Sequence, residues 1–248
     1  MKNVSLTIIV LLISICASAQ SESSPSPLNV SDFDRGVTLT IMFPSYMTSP
    51  HSNLNSVLVQ NGYPQISRSS VNYGMGLAYR IKKFEPGFDI SMGNQIETNE
   101  ATESEILKRL LNLNVFLQYH LFREGSFTFF PLLGLSFSNI NLITSKQSPG
   151  NDINSLLQNP GSSMNLQHFS RGLLTGFGFS FAEHWKKSTG ILRMKFAYRI
   201  PFNGGSAWES NFANFNNSPV DNFPYFFIQA EMGIMTNWKK GDRWMDRY

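Results

Sequence analysis

Seven ionisable side chains fall on one parity of alternating stretches: Arg80, Asp89, His120, Arg193, Lys195, Arg199 and Glu231. Small, amide or charged residues share that parity, while Leu, Ile, Met, Phe and Tyr take the positions between. Cations and carboxylates on one face can neutralise each other. With Ile81 facing Phe88 across a turn, Arg80 stands opposite Asp89; with Ile200 facing Phe226, Lys195 stands opposite Glu231. An unpaired buried charge costs several kcal/mol, so the set reads as a salt-bridged plug of a narrow polar interior. The alternative chemistry is a path for an ion or small solute.

The elements that carry these residues have a period of two. Val71, Tyr73, Met75, Leu77, Tyr79 and Ile81 alternate with Asn72, Gly74, Gly76, Ala78 and Arg80; after Lys82–Gly87, Phe88, Ile90 and Met92 alternate with Asp89, Ser91 and Gly93. Such alternation is a strand between unlike environments. The large apolar set on one side, with glycines, amides and charges on the other, inverts a soluble sandwich and fits a strand between lipid and a polar lumen. Further strands follow at about Arg35–Pro44, Leu107–Phe122, Phe127–Ile140, Leu166–Ala182, Gly190–Phe202 and Pro224–Trp238. Pro131, with no amide donor, marks a bulge. Ala101–Leu111 could be argued as a helix, but its Asn-Leu-Asn-Val continuation favours a strand. The fold class is therefore all-β: an eight-stranded antiparallel up-and-down transmembrane β-barrel. Its interior, at this strand number, is one that side chains roughly fill.

The connections alternate long and short. Ser45–Ser70, Asn94–Ile106, Asn141–Asn165 and Asn203–Phe223 are long; Lys82–Gly87, Arg123–Ser126 and Glu183–Thr189 are short. Short turns on the periplasmic side and long loops outside are the asymmetry of an outer-membrane barrel. Aromatics gather at both ends: Tyr79, Phe88, Tyr119, Phe127, Phe181, Trp185 and Trp238 at the turns, Phe43, Phe137, Tyr198, Phe202 and Phe226 at the loops. Two girdles at the lipid boundaries are expected of amphipathic rings.

Residues 1–19 read as a signal peptide, with a basic start, an apolar run from about Leu6 to Cys16 and Ala17-Ser18-Ala19 before the cleavage point. Ile15 is too large for a lipoprotein site at Cys16. Residues 20–34 are a Ser/Pro-rich periplasmic leader, 35–238 the barrel and 239–248 a basic periplasmic tail. The chain has one cysteine, removed with the signal peptide, so no disulfide is expected. A net charge of +3 over 248 residues gives nucleic-acid binding no electrostatic support.

Other groups have chemistry in reach. Arg109 and Arg171 share the lipid-facing parity at the loop ends, where guanidinium groups either snorkel and grip lipopolysaccharide phosphates bidentately or stand at a solvated rim. Lys82, Lys83, Lys186, Lys187, Lys239 and Lys240 gather at the turn side, facing headgroups, a periplasmic partner or water. Glu97, Glu100, Glu103 and Glu105 lack the fixed spacing of a calcium loop and read as a solvated acidic loop. No zinc spacing, phosphate loop or cofactor motif is present, so no metal and no cofactor are expected.

With its signal peptide, eight alternating strands and loop parity, the chain resembles the small outer-membrane β-barrel proteins of Gram-negative bacteria, of the OmpX-like, OmpA transmembrane-domain-like and PorT-like kinds. Its Ala-Ser-Ala-Gln junction resembles exported proteins of Bacteroidetes. Gly233 followed by Trp238 loosely resembles the C-terminal signal read by the barrel-assembly machinery, though a ten-residue tail follows it. The resemblance implies an outer-membrane location, contact with lipid and lipopolysaccharide, and a non-enzymatic structural or binding role. It extends to a subunit of an envelope or protein-secretion machine in the PorT-like case, with the loops, especially Asn203–Phe223, as the contact surface. His168-Phe169-Ser170 is similar to the His-x-Ser pair of lipid A deacylases of the PagL type, where the histidine activates the serine. Arg171 stands where that family commonly has Asn, and both side chains carry lumen parity, so an enzyme is not the preferred reading.

Overall fold

The computed structural model describes residues 35–48, 51–124, 126–146, 163–184, 188–202, 205–210 and 216–237. The expected signal peptide, leader and basic tail lie outside them, as do Trp185, Trp238, Lys186, Lys187, Lys239, Lys240 and the side chain of Phe43. Eight long strands form one antiparallel sheet: β1 (Arg35–Thr48), β2 (Ser69–Ile81), β3 (Phe84–Asn99), β4 (Ser104–Tyr119), β5 (Phe127–Lys146), β6 (Met164–His184), β7 (Ser188–Pro201) and β8 (Tyr225–Asn237). Each pairs with its sequence neighbour, and β1 pairs with β8 from Gly36↔Asn237 to Thr48↔Phe226, closing the barrel. Helix α1 (Ser52–Gln60) lies between β1 and β2, and Ser206–Ala207 pairs with Val220–Asp221 between β7 and β8.

Burial follows the expected alternation. In β4, Asn112, Asn114, Phe116 and Gln118 are buried inside while Leu111, Leu113, Val115 and Leu117 stand exposed outside. On β5 the outward apolar run Phe127, Phe129, Leu133, Leu135 and Phe137 spans the length a tilted strand needs to cross a bilayer, about 9–11 residues.

Above that band the polarity reverses in part, with Ile96, Leu107 and Ile143 still outward and Lys108 and Thr144 inward. The outward row becomes Asn94, Arg109, Asn141 and Gln167, aligned across β3 to β6. The inward row becomes Ile106, Leu110, Ile140, Leu142 and Leu166, all buried. A wall that leaves lipid for water recovers the apolar-in pattern of a soluble protein. That reversal explains one correction. The expected long loop Asn94–Ile106 is mostly strand, and the link from β3 to β4 is a single short turn through Glu100–Thr102 and the left-handed Glu103. Glu97 has inward parity, Glu105 outward, and Glu100 and Glu103 lie in the turn, so the four glutamates do not converge.

The turn after β2 is also tighter than expected. Ile81 faces Phe84, not Phe88, across Lys82-Lys83, with Lys82 at φ 55. Pro86 and Gly87, read as turn residues, belong to β3. The β2–β3 register passes from Ala78↔Gly87 to Ile81↔Phe84, omitting the Tyr79–Pro86 step, where the proline has no donor, and the Arg80–Glu85 step beside it. Pro131 does not bulge its own strand, since β5 and β6 pair without a break through Pro131↔Phe177. The irregularity lies on its other partner: β4 ends at Tyr119, His120–Leu121 intervene, and Phe122–Glu124 resumes pairing with Phe127–Phe129. Likewise β1 runs past Pro44 to Thr48 through a register shift between Met42 and Ser45, so that Ser45 and Met47 turn inward and Tyr46 outward.

Candidate functional site

Four layers of side chains fill the lumen, ordered along β7 from its turn end at Ser188 to its loop end. In the first layer Arg193 Nη2 donates to Glu85 Oε1 at 2.6 Å, and His120 Nε2 lies 2.9 Å from Glu85 Oε2. The Arg193 guanidinium also lies 5.4 Å from the centre of the Phe130 ring, which is fully buried. In the second layer Lys195 Nζ sits 2.5 Å from Glu231 Oε1 and 3.6 Å from Asp89 Oδ2, with the Phe116 ring 4.2 Å away. Asn114 donates to Asp89 and Gln229 to Glu231. Glu231 Oε2 also lies 3.7 Å from Arg193 Nη1, so the two layers are one network.

The third layer centres on Arg199, which donates to the Phe223 carbonyl and to Ser170 Oγ, each at 2.7 Å, and lies 5.3 Å from the Tyr225 ring centre. Tyr225 and Ser136 share a 2.6 Å hydrogen bond. The fourth layer is apolar and closes the loop end: Met47, Leu110, Ile140, Leu142, Leu166 and Phe227 pack with Leu54 and Leu58 of α1.

The seven residues read from the sequence are all buried inside, but two pairings differ from expectation. Arg80 lies at the level of Glu85, not Asp89, because the turn is two residues long; its Nε donates to the Lys82 carbonyl. Glu231 is in register with Arg193 and Lys195 with Gln229, because Phe226 faces Tyr198 instead of Ile200. Lys195 still reaches Glu231, diagonally. Glu85, the carboxylate at the centre of the first layer, is absent from the sequence-derived set since Glu-Pro-Gly reads as a turn. Its parity with Asp89 and Ser91 was the available signal.

Helix α1 seats its Leu54 and Leu58 face on the fourth layer and is fixed at both ends. Asp221, on the hairpin formed by Ser206–Ala207 and Val220–Asp221, accepts from the backbone amides of Asn53 at 3.0 Å and Leu54 at 3.1 Å, the orphan donors of a helix start. The same carboxylate accepts from Trp208 Nε1 at 2.9 Å. Beyond the helix end, Ser104 and Thr102 donate to the Gly62 carbonyl and Lys146 Nζ to that of Asn61. His51, just before α1, is buried against Phe223 and accepts at Nε2 from the Lys108 ammonium at 2.9 Å. Burial, and then the charges of Lys108 and His168, hold His51 far below the usual imidazole range, at about 2. Lys108 shares the inward parity of Asn112 and Asn114 on β4, which was the available signal, whereas His51, Trp208 and Asp221 carry no periodic signal that would single them out in the sequence.

His168 and Ser170 both face inward but not each other's chemistry. Ser170 accepts from Arg199. His168 Nε2 lies 3.1 Å from the Ser206 carbonyl and 2.9 Å from Ser206 Oγ, and that hydroxyl donates to the Phe169 carbonyl. Ser206, not Ser170, is the partner of the imidazole, which here ties the hairpin to β6. Arg109 and Arg171 are exposed on the outer wall. Arg171 pairs in register with Phe137, the last ring of the outward band on β5, and Arg109 with Asn141 in the polar row above it. Among the described residues no cluster of three His, Cys, Asp or Glu is placed to hold a metal ion.

Neither a family model nor a curated protein sequence matches the chain. Among solved structures it is similar to Ail, the attachment invasion locus protein of Yersinia pestis, in complex with the heparin analogue sucrose octasulfate, with 8% identity, a TM-score of 0.46, and 82% of this chain and 99% of that one covered. It is similar to Neisserial surface protein A (NspA), with 12% identity, a TM-score of 0.41, and coverage of 83% and 97%. A major outer membrane protein from Thermus thermophilus gives 8% identity, a TM-score of 0.46, and coverage of 82% and 99%.

Proposed function

We propose that this protein is a non-enzymatic outer-membrane barrel, with a filled lumen serving stability and a rigid loop end serving contact with a partner. The observation that carries the reading is the double closure of the interior. The first two layers form one network of opposite charges, Arg199 above them is held by a carbonyl and a hydroxyl, and an apolar layer beyond is roofed by α1, whose two ends are tied to different strands and loops. A solute path would need both closures broken. The exposed apolar band, inverted relative to the interior, supports residence in a lipid bilayer. The exposed Arg109 and Arg171, at and just above the edge of that band, are suited to lipopolysaccharide phosphates. The finer role, a subunit of an envelope or protein-secretion machine, rests on the PorT-like resemblance.

Two measurements test this. Capture of the tagged full chain from envelopes in mild detergent, read by mass spectrometry, is expected to return a stoichiometric partner; a lone barrel would remove the subunit role. Planar-bilayer recording is expected to show no discrete conductance. Steady channels from the parent protein would overturn the filled-lumen reading in favour of a narrow ion or solute channel. A change in lipid A mass that disappears with Ser170→Ala would make the protein a PagL-like deacylase instead.

A further inference from the structure

The outer side of α1 forms a groove that the closure of the barrel does not use. It has a volume of about 760 Å³ and lies between the helix and residues 65–68, within the ~300–1,000 Å³ typical of ligand sites. From the helix come Ser52, Ser56, Val59 and Gln60; from the facing segment come Gln65 and Arg68. The groove is held open by a two-way clamp. Asn55 Nδ2 donates to the Ile66 carbonyl at 3.1 Å, and the Ile66 amide donates to Asn55 Oδ1 at 2.9 Å. With α1 tied at both ends as well, the two walls are pre-organised, which lowers the entropic cost of binding.

We propose, building on the binding role above, that this groove takes a saccharide bearing an anionic group. Its chemistry is one-sided. Arg68 is the one residue among those lining it with a full positive charge at neutral pH, and no carboxylate lines it. Arg68 has no ion pair to a described residue, so its planar fork is left to match a carboxylate, sulfate or phosphate. Hydroxyls and amides, which both donate and accept, fit the hydroxyls of sugar rings. Val59, 48% exposed, offers an apolar surface to a ring's C–H face. The ligand can come from the sugars of neighbouring lipopolysaccharide or from a polysaccharide outside the cell.

The test is calorimetric titration of the folded full chain in detergent micelles with three probes: tetragalacturonate, neutral tetragalactose, and lipid-free core oligosaccharide from lipopolysaccharide. Saturable binding of at least one anionic probe is expected, about tenfold tighter than the neutral one, and weakened about tenfold by Arg68→Gln. A preference for the core oligosaccharide assigns the ligand to the protein's own membrane; a preference for tetragalacturonate assigns it to an external polysaccharide. Gln60→Ala with Gln65→Ala weakens both anionic and neutral probes, and keeps the site testable if Arg68→Gln disturbs the loop. The proposal falls if no anionic probe binds. It also falls if Arg68→Gln binds as the parent does, or if Arg109→Gln with Arg171→Gln abolishes binding while Arg68→Gln does not. Partner capture and the absence of conductance do not depend on Arg68, so the binding-barrel reading stands or falls separately.

Discussion

Replacing Glu85 by Gln tests whether the lumen network holds the barrel together. Glu85 is fully buried, and its two oxygens meet two different donors, Arg193 at 2.6 Å and His120 at 2.9 Å. Gln keeps the shape, but one oxygen becomes an amide donor facing a donor. Arg193 is left with Glu231 at 3.7 Å, a carboxylate already held by Lys195 at 2.5 Å. The lumen therefore gains one buried positive charge that has lost its carboxylate. Removing one partner of a buried pair costs about 3–5 kcal/mol. An independent figure agrees: unit charges 4 Å apart at an effective dielectric of 20 interact by about 4 kcal/mol. Urea unfolding of the protein in lipid vesicles, followed by tryptophan fluorescence and by mobility of the folded band, should show that loss. The double variant Glu85→Leu with Arg193→Met removes both charges and should recover most of it, because apolar replacement of a whole buried pair is often neutral. A single variant within about 0.5 kcal/mol of the parent, the scatter of ordinary surface substitutions, would refute the reasoning. So would a double variant no more stable than the single one.

Three other perturbations follow from the same geometry. Asp221→Asn presents an amide donor to a cluster of three N–H groups, so α1 should open more easily by about 1–3 kcal/mol; its amides should exchange hydrogen faster while those of β7 do not. Protonation of His51 is blocked in the closed state and allowed in the open one, so closure weakens as pH falls below the ordinary value of 6.5, by about 2 kcal/mol at pH 5. Exchange at α1 between pH 7.5 and 5 should show it, and a slope that persists in His51→Gln would assign it elsewhere. Gly178→Ala places a methyl 2.5 Å from the Phe130 ring and from the Met194 carbonyl, and overpacking of about 1–3 kcal/mol is expected in the same unfolding assay, against no more than a small effect at the outward Thr175→Ala.

Much of this fold is legible because lipid and lumen impose opposite demands on alternate residues. Leu113 and Asn114 could not exchange places without exposing an amide to hydrocarbon and wasting a leucine on a polar cavity. That constraint fixes strand identity and facing, but it does not act along the strand. Where the wall rises out of the bilayer, the outside becomes water and the inside turns apolar, as at Arg109 beside Leu110, so a period of two persists while its polarity inverts. A reader following polarity alone sees a loop beginning at Asn94, when β3 continues to Asn99.

Side-chain partnership is less legible still, because each two-residue shift of register gives a charge a new inward partner. The tight turn at Lys82-Lys83 gives Arg193 its carboxylate from Glu85 and sends Asp89 across the lumen to Lys195. Long side chains then blur what register fixes, as Lys195 shows by reaching Glu231 two residues beyond its own partner Gln229. The roof is the part least open to sequence reading. Asp221 is 168 residues from the helix amide it accepts from, in a segment with no periodicity, and its only local mark is a short side chain with an acid at the end. The parts of this molecule that alternate face an environment and can be read one strand at a time. The parts that bind α1 face each other, and a contact between two irregular segments leaves no pattern in either one.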